Sequence, residues 1–228
     1  GVTNINFVNG GNTTVTGSSS GGTVTLAVSD SGYSPGVGVD ISTNCAGVRQ
    51  ISLLTSLGGQ RSTNWFISDT GIDVFSGAGA ATPYPAQITV SGLTGEVYDA
   101  FVIVSNLVHA FPSDLQMVLV SPCGRAVKFY GKAGGDTAIV TNVVLRFEDG
   151  ASGYLPTVDV GSGTYKPTDS NPAYVFTPGP PVGPYATNLA AYAGLTASEA
   201  NGVWSVYVDD DTEFDGGTIS NIMVGFAM

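Results

Sequence analysis

Short apolar stretches, set off by clusters of Gly, Ser, Asn and Pro, recur along almost the whole chain, and helical periodicity is nearly absent. A strand shows two faces with period two, whereas a surface helix needs apolar residues three and four apart. The pattern therefore predicts an all-β protein. Strands are expected over 3–8, 23–28, 36–41, 48–54, 87–90, 97–108, 116–120, 127–130, 138–147, 202–208 and 219–228. The last is the clearest, with Ile222, Val224, Phe226 and Met228 on one face and Met223, Gly225 and Ala227 on the other. A bulky face over a small one suits a sandwich strand with its large side inward. Only 188–192 reads as a helical turn.

At 228 residues the chain is long enough to bury a sizeable core without metals or disulfides. Its 32 glycines and 11% charged residues set it apart from an ordinary cytosolic enzyme. The net charge of −11 argues against nucleic acid, which needs a basic surface. It suits divalent cations or solubility outside a cell. Four of the seven basic residues, Arg125, Lys128, Lys132 and Arg146, fall close together and read as salt bridges on a hairpin. No apolar run reaches the length of a membrane span. The chain begins with Gly and shows no leader, as a processed exported protein would, and as a trimmed chain would too. The two cysteines, Cys45 and Cys123, read either as a disulfide worth about 4 kcal/mol or as two separate buried thiols. The Pro- and Gly-rich stretch 150–184 predicts a long ordered loop over the sandwich, since proline donates nothing to a ladder.

Five acidic residues fall within seven positions: Asp209, Asp210, Asp211, Glu213 and Asp215, followed by Gly216. Carboxylates spaced two apart are what a hard cation needs, because their oxygens can converge from one tight turn. Asp209, Asp211, Glu213 and Asp215 are the candidate calcium ligands; the alternative is a solvated acidic turn. The loop is no EF-hand, because strands flank it and Ser220 stands where the bidentate glutamate would be.

Two motifs are more specific: H-A-F-P-S-D-L-x-x-x-L-V-S-P-C-G (109–124) and N-G-x-W-x-x-x-V-x-D (201–210). With LRFEDGAS, SGTYKPT and GPPVGPYA between them, the chain from about Trp65 to Met228 resembles the P domain of kexin- and furin-type proprotein convertases, in its secreted bacterial form. That resemblance implies a jelly-roll-like antiparallel β-sandwich over 64–228 with no catalytic role. It makes Asp114 the aspartate of the His-to-Asp-Leu motif, either a cap for its own loop or a further calcium oxygen. Asp149 and Glu148 carry the same two readings. His109, the only histidine, becomes a loop residue of structural role, and no serine stands in a nucleophile-elbow context. Trp204 becomes a core residue rather than a sugar platform.

Residues 1–63 differ in character and read as a strand-rich arm, with a sequon at Asn12. In the opening strand Ile5 and Phe7 share one side, flanked by Val2 and Val8, before a Gly-Gly joint. Such a strand either pairs within its own sheet or, as 1–11, is donated to a neighbouring copy, and donation propagates into filaments. The leading expectation is an extracellular structural or adhesive subunit, a homo-polymer on the cell surface. The alternatives are an accessory domain of a secreted protease, and a module that binds surface glycans.

Overall fold

The computed structural model describes residues 62–228, apart from 136–138, 159, 177–178 and 181–182, and the backbone of four strands before them. Contacts divide the chain into two compact units, Gly1–Asp40 with Leu53–Gly58, and Ile41–Ser52 with Gly59–Met228. In the N-terminal stretch β1 (Thr13–Ser20) pairs antiparallel with β2 (Thr23–Asp30), and β3 (Gly38–Thr43) pairs with β4 (Arg49–Leu54). Val2, Ile5, Phe7, Val8, Asn12 and Cys45 lie outside the described residues, and with them the expected donated strand and sequon.

Thirteen further strands build two sheets. They are β5 (Thr63–Ile67), β6 (Ile72–Val74), β7 (Gly79–Ala80), β8 (Ala86–Val90) and β9 (Asp99–His109). Next come β10 (Leu115–Val120), β11 (Ala126–Gly131), β12 (Val140–Phe147), β13 (Gly163–Tyr165) and β14 (Thr168–Asp169). The last are β15 (Gly202–Asp210), β16 (Gly217–Ile219) and β17 (Asn221–Ala227). One sheet runs β14-β11-β10-β15-β7, with β8 also on β15. The other runs β13-β12-β9-β16-β6, with β17 joining β9 to β5. Both are antiparallel except where β14 lies parallel to β11 and β13 parallel to β12. The expected all-β sandwich is therefore observed, with a short parallel strand at one edge of each sheet.

The pleat decides which residues enter the core. From one sheet come Leu115, Met117 and Leu119, with Trp204, Val206 and Val208; from the other come Val102, Val104, Leu145, Phe147, Ile222, Val224 and Phe226, all buried. The bulky face of β17 points inward as its alternation predicts. Its small face serves a second purpose, because a Cβ on Gly225 would stand 2.7 Å from the Trp65 ring. Trp65 lies against that bare backbone and contacts Phe101 at 6.0 Å, while the Arg146 guanidinium sits 5.5 Å from its ring centre. Trp65 is thus a packed side chain rather than a free sugar platform.

The stretch 150–184 is a loop for most of its length, as expected, interrupted by the brief strands β13 and β14. It carries Phe176 onto Val118 and Val120 on the outer face of the six-stranded sheet, with Tyr174, Tyr185 and Tyr207 around them. The expected helical turn is a 3-10 turn, Leu189–Tyr192. An additional turn of α-helix at Ala197–Ala200 follows Thr196, whose backbone N–H donates to the Glu199 carboxylate at 3.0 Å. This Thr-to-Glu spacing was readable as a helix start.

Candidate metal centre

Residues near one end of the sandwich converge on His109, the last residue of β9. β15 ends beside it at Asp210, and the acidic turn returns at Asp215 just before β16. His109 and Asp210 are fully buried and Asp215 is 6% exposed. The backbone N–H of Phe111 donates to His109 Nδ1 at 3.2 Å, so that nitrogen carries no proton. Nε2 therefore holds the proton and donates to an Asp210 oxygen at 3.0 Å. The other Asp210 oxygen accepts the Thr212 N–H at 3.0 Å.

Asp215 is left differently. One of its oxygens lies 3.8 Å from His109 Nδ1, itself an acceptor, and both of its oxygens are buried without a hydrogen-bond donor. A bare buried carboxylate is costly unless a proton or a cation compensates it. One donor atom each from His109, Asp210 and Asp215 lies within 4.8 Å of the others. Oxygens on opposite sides of a calcium ion stand about 5 Å apart, so the spacing fits such an ion. Calcium takes oxygens, and both nitrogens of His109 are already engaged. The imidazole accordingly serves to orient Asp210, and the oxygens that could take a cation are those of Asp210 and Asp215.

The remaining sequence candidates divide. Asp114 sits in a 3-10 turn, Pro112–Asp114, at the same end, 3.9 Å from Lys132 Nζ, and its carbonyl accepts the Asp211 N–H at 3.2 Å. Asp211 is taken up by Lys132 at 2.6 Å. Glu213 is exposed. Asp209 points to the opposite face of β15, where the Tyr174 hydroxyl donates to its carboxylate. Adjacent strand residues alternate faces, so Asp209 and Asp210 cannot serve one ion. Asp210 and His109 complete the cluster in their place. Their signal was the shared phase of Asp210 with Trp204, Val206 and Val208.

The other carboxylates of the motif region are structural. Asp149 accepts the N–H groups of Leu189 and Ala190 at 3.0 and 2.7 Å, closing the 3-10 turn, and Glu148 pairs with Arg146 at 2.7 Å. Asn201 brackets Leu93, accepting its N–H and donating to its carbonyl, both at 3.1 Å. Cys123 is disulfide-bonded, and the Ser121 hydroxyl donates to its sulfur at 3.2 Å.

Burial is the main cause that raises the Asp215 carboxyl above its usual range, and the Asp210 charge adds to it. Asp114 shifts the same way, again chiefly by burial, with Lys132 opposing and Asp211 and Asp210 adding. Between the ordinary carboxylate value and the raised one, the folded chain therefore binds more protons than the unfolded chain. Stability falls as pH rises through that window and returns on acidification. In chelator, the melting temperature followed by circular dichroism should rise on acidification across that range. A fall over that range would show that these carboxylates are compensated without proton or cation.

No family model matches the chain, and no curated protein matches it. Among solved structures it is similar to a serine protease of Aeromonas sobria at 14% identity and a TM-score of 0.32, covering 74% of this chain and 27% of that one. It is also similar to a structure of an Aeromonas sobria serine protease and chaperone complex at 14% identity and a TM-score of 0.34, covering 93% of this chain and 36% of that one. The chain thus spans about a third or less of the length of these neighbours. Such scores assign it to no family.

Proposed function

We propose that this chain is a non-catalytic β-sandwich module of an exported protein, held by a divalent cation and accessory to a secreted protease. The observation that carries the reading is the state of His109. The chain's one histidine is fully buried, with both nitrogens committed to Phe111 and Asp210, so it has no path to a substrate. A general base must reach the proton that it removes. The residues that carry the P-domain resemblance support the same reading. His109 and Asp210 build the buried end, Trp204 fills the core, and Asn201 pins a loop.

Calcium at Asp210 and Asp215, with Asp114 beside them, would supply charge compensation and no chemistry. A ligand bound only by the folded state, present at a hundred times its dissociation constant, adds about 2.7 kcal/mol. For a chain of this size that corresponds to roughly 5–10 °C in melting temperature. Millimolar calcium after chelation should produce that rise, and Asp215→Asn should remove it. An unchanged melting temperature would overturn the cation part. The accessory role is tested on native material, by labelling chain recovered from its culture with a fluorophosphonate probe. A serine hydrolase should be labelled, joined to the chain or co-purifying with it, while the chain itself stays unlabelled. Labelling of the sandwich, or no labelled partner, would overturn that role.

A further inference from the structure

Two phenylalanines stand in solvent at the end of the sandwich that carries the acidic turn. Phe214 is 94% exposed and Phe75 is 65% exposed. They line one open hollow of about 480 Å³, shared with Asp73, Asp215 and the backbone of Gly216 and Gly217. Among the described residues no basic side chain lines it. Large apolar side chains grouped around a concavity mark interaction sites, whereas singly scattered ones need no explanation.

Phe214 is also held against its backbone preference. Its φ is +80°, in the left-handed region that a bulky residue rarely adopts. Its N–H donates to the Ser76 carbonyl at 2.8 Å, which fixes the turn beside β6. A glycine would take that conformation freely, and glycines stand two and three residues later, at Gly216 and Gly217. A strained backbone presenting a wholly exposed ring points to a use for the ring.

We propose that this hollow docks a protein segment bearing a cationic side chain next to an aromatic or aliphatic one, supplied by a different protein. The charge of the surroundings selects the cation. Asp73 lines the hollow with an exposed carboxylate and exposed Glu213 precedes Phe214, whereas Asp215 turns inward to His109 and Asp211 pairs with Lys132. Ring faces attract ammonium and guanidinium groups as well as apolar side chains, so the same two residues accept both parts of such a segment. A second copy of this chain fits the role poorly, because at a net charge of −11 two copies repel. Among the described residues Lys128 is held by Asp169, Lys132 by Asp211 and Arg146 by Glu148. Arg125 donates to the Ala191 carbonyl, and Lys166 lies over the Tyr154 ring. The inference does not depend on the accessory role or on a bound cation.

The test uses the full chain, labelled with nitrogen-15, and an amidated Leu-Arg-Phe-Arg peptide as probe. Amide shifts are expected at residues 73–76 and 214–218 with millimolar peptide. Phe214→Gly and Phe75→Ser should each weaken binding about tenfold, the loss expected for one desolvated cation–ring contact. Asp73→Asn should weaken it less, and added salt should do the same. Phe214→Gly should keep or raise the melting temperature, since it relieves the left-handed residue, so lost binding cannot be blamed on lost folding. The proposal is overturned if the shifts are absent or if a Leu-Glu-Phe-Glu peptide produces them equally. It fails as well if cellohexaose fills the same footprint in preference, or if Phe214→Gly binds as the parent does.

Discussion

Trp204→Ala lowers the unfolding free energy by about 3–5 kcal/mol, the range for deleting a large aromatic side chain from a packed core. The indole is fully buried, 4.9 Å from the Tyr192 ring and 4.8 Å from Phe226 between ring centres. Its Nε1–H donates to the Ala200 carbonyl at 2.8 Å, tying the helical turn to the sheet. Alanine would leave a void between the sheets and take that carbonyl's donor away. Trp204→Phe keeps most of the packing and loses the hydrogen bond, so it should cost only about 1–3 kcal/mol. Urea unfolding of the two variants measures both losses. A Trp204→Ala loss below about 1 kcal/mol would mean that the site collapses around the void or that the core lies elsewhere.

Much of the architecture could be read from alternation alone, because each sheet has one face that must be apolar. The strand over 219–228 shows this best: Ile222, Val224 and Phe226 are buried as their spacing requires. Short edge strands gave no such signal. In β5 the run Thr-Asn-Trp-Phe-Ile has no clean two-residue period, since Trp65 and Phe66 serve opposite faces of one sheet. Trp65 covers Gly225, and Phe66 packs against the core. β13 and β14 are fixed by pairing with β12 and β11 rather than by their own residues.

The acidic turn shows the limit of reading spacing without phase. Carboxylates two apart in sequence share a face only while the strand continues, and β15 ends at Asp210. Beyond it the turn decides direction: Asp215 is brought back to His109, Asp211 goes to Lys132, and Glu213 faces solvent. His109, expected as a structural loop residue, ends β9, and its partners are the carboxylates of that same turn. Sequence distance hid this, since 101 residues separate His109 from Asp210. The basic residues carried a similar surprise. The surface position expected of the basic cluster does not hold for Lys128, which is 1% exposed.

Lys128→Met should destabilise the protein by about 3–5 kcal/mol, more than its near-equal volume would suggest, because it strands a buried charge. Lys128 Nζ lies 3.0 Å from an Asp169 oxygen and donates to the Asn171 carbonyl at 2.6 Å. Burial lowers the ammonium's affinity for its proton and the Asp169 carboxylate opposes that shift, so the pair is held together by its geometry. The neighbouring Gly131 makes that geometry reachable: a Cβ there would stand 2.6 Å from Lys128 Cε and would run into the Asp169 carboxylate. The same Asp169 oxygen accepts the Asn171 N–H at 3.0 Å, so one charge pair fixes the start of the segment that lays Tyr174 and Phe176 over the sheet. Asp169→Asn keeps that acceptor and removes the charge. The double variant Lys128→Met with Asp169→Asn should therefore recover at least about 2 kcal/mol of the single loss, and urea unfolding gives the coupling. Losses that add within about 0.5 kcal/mol would show that the ammonium acts through Asn171 alone, and that the charge on Asp169 does not hold this segment to the sheet.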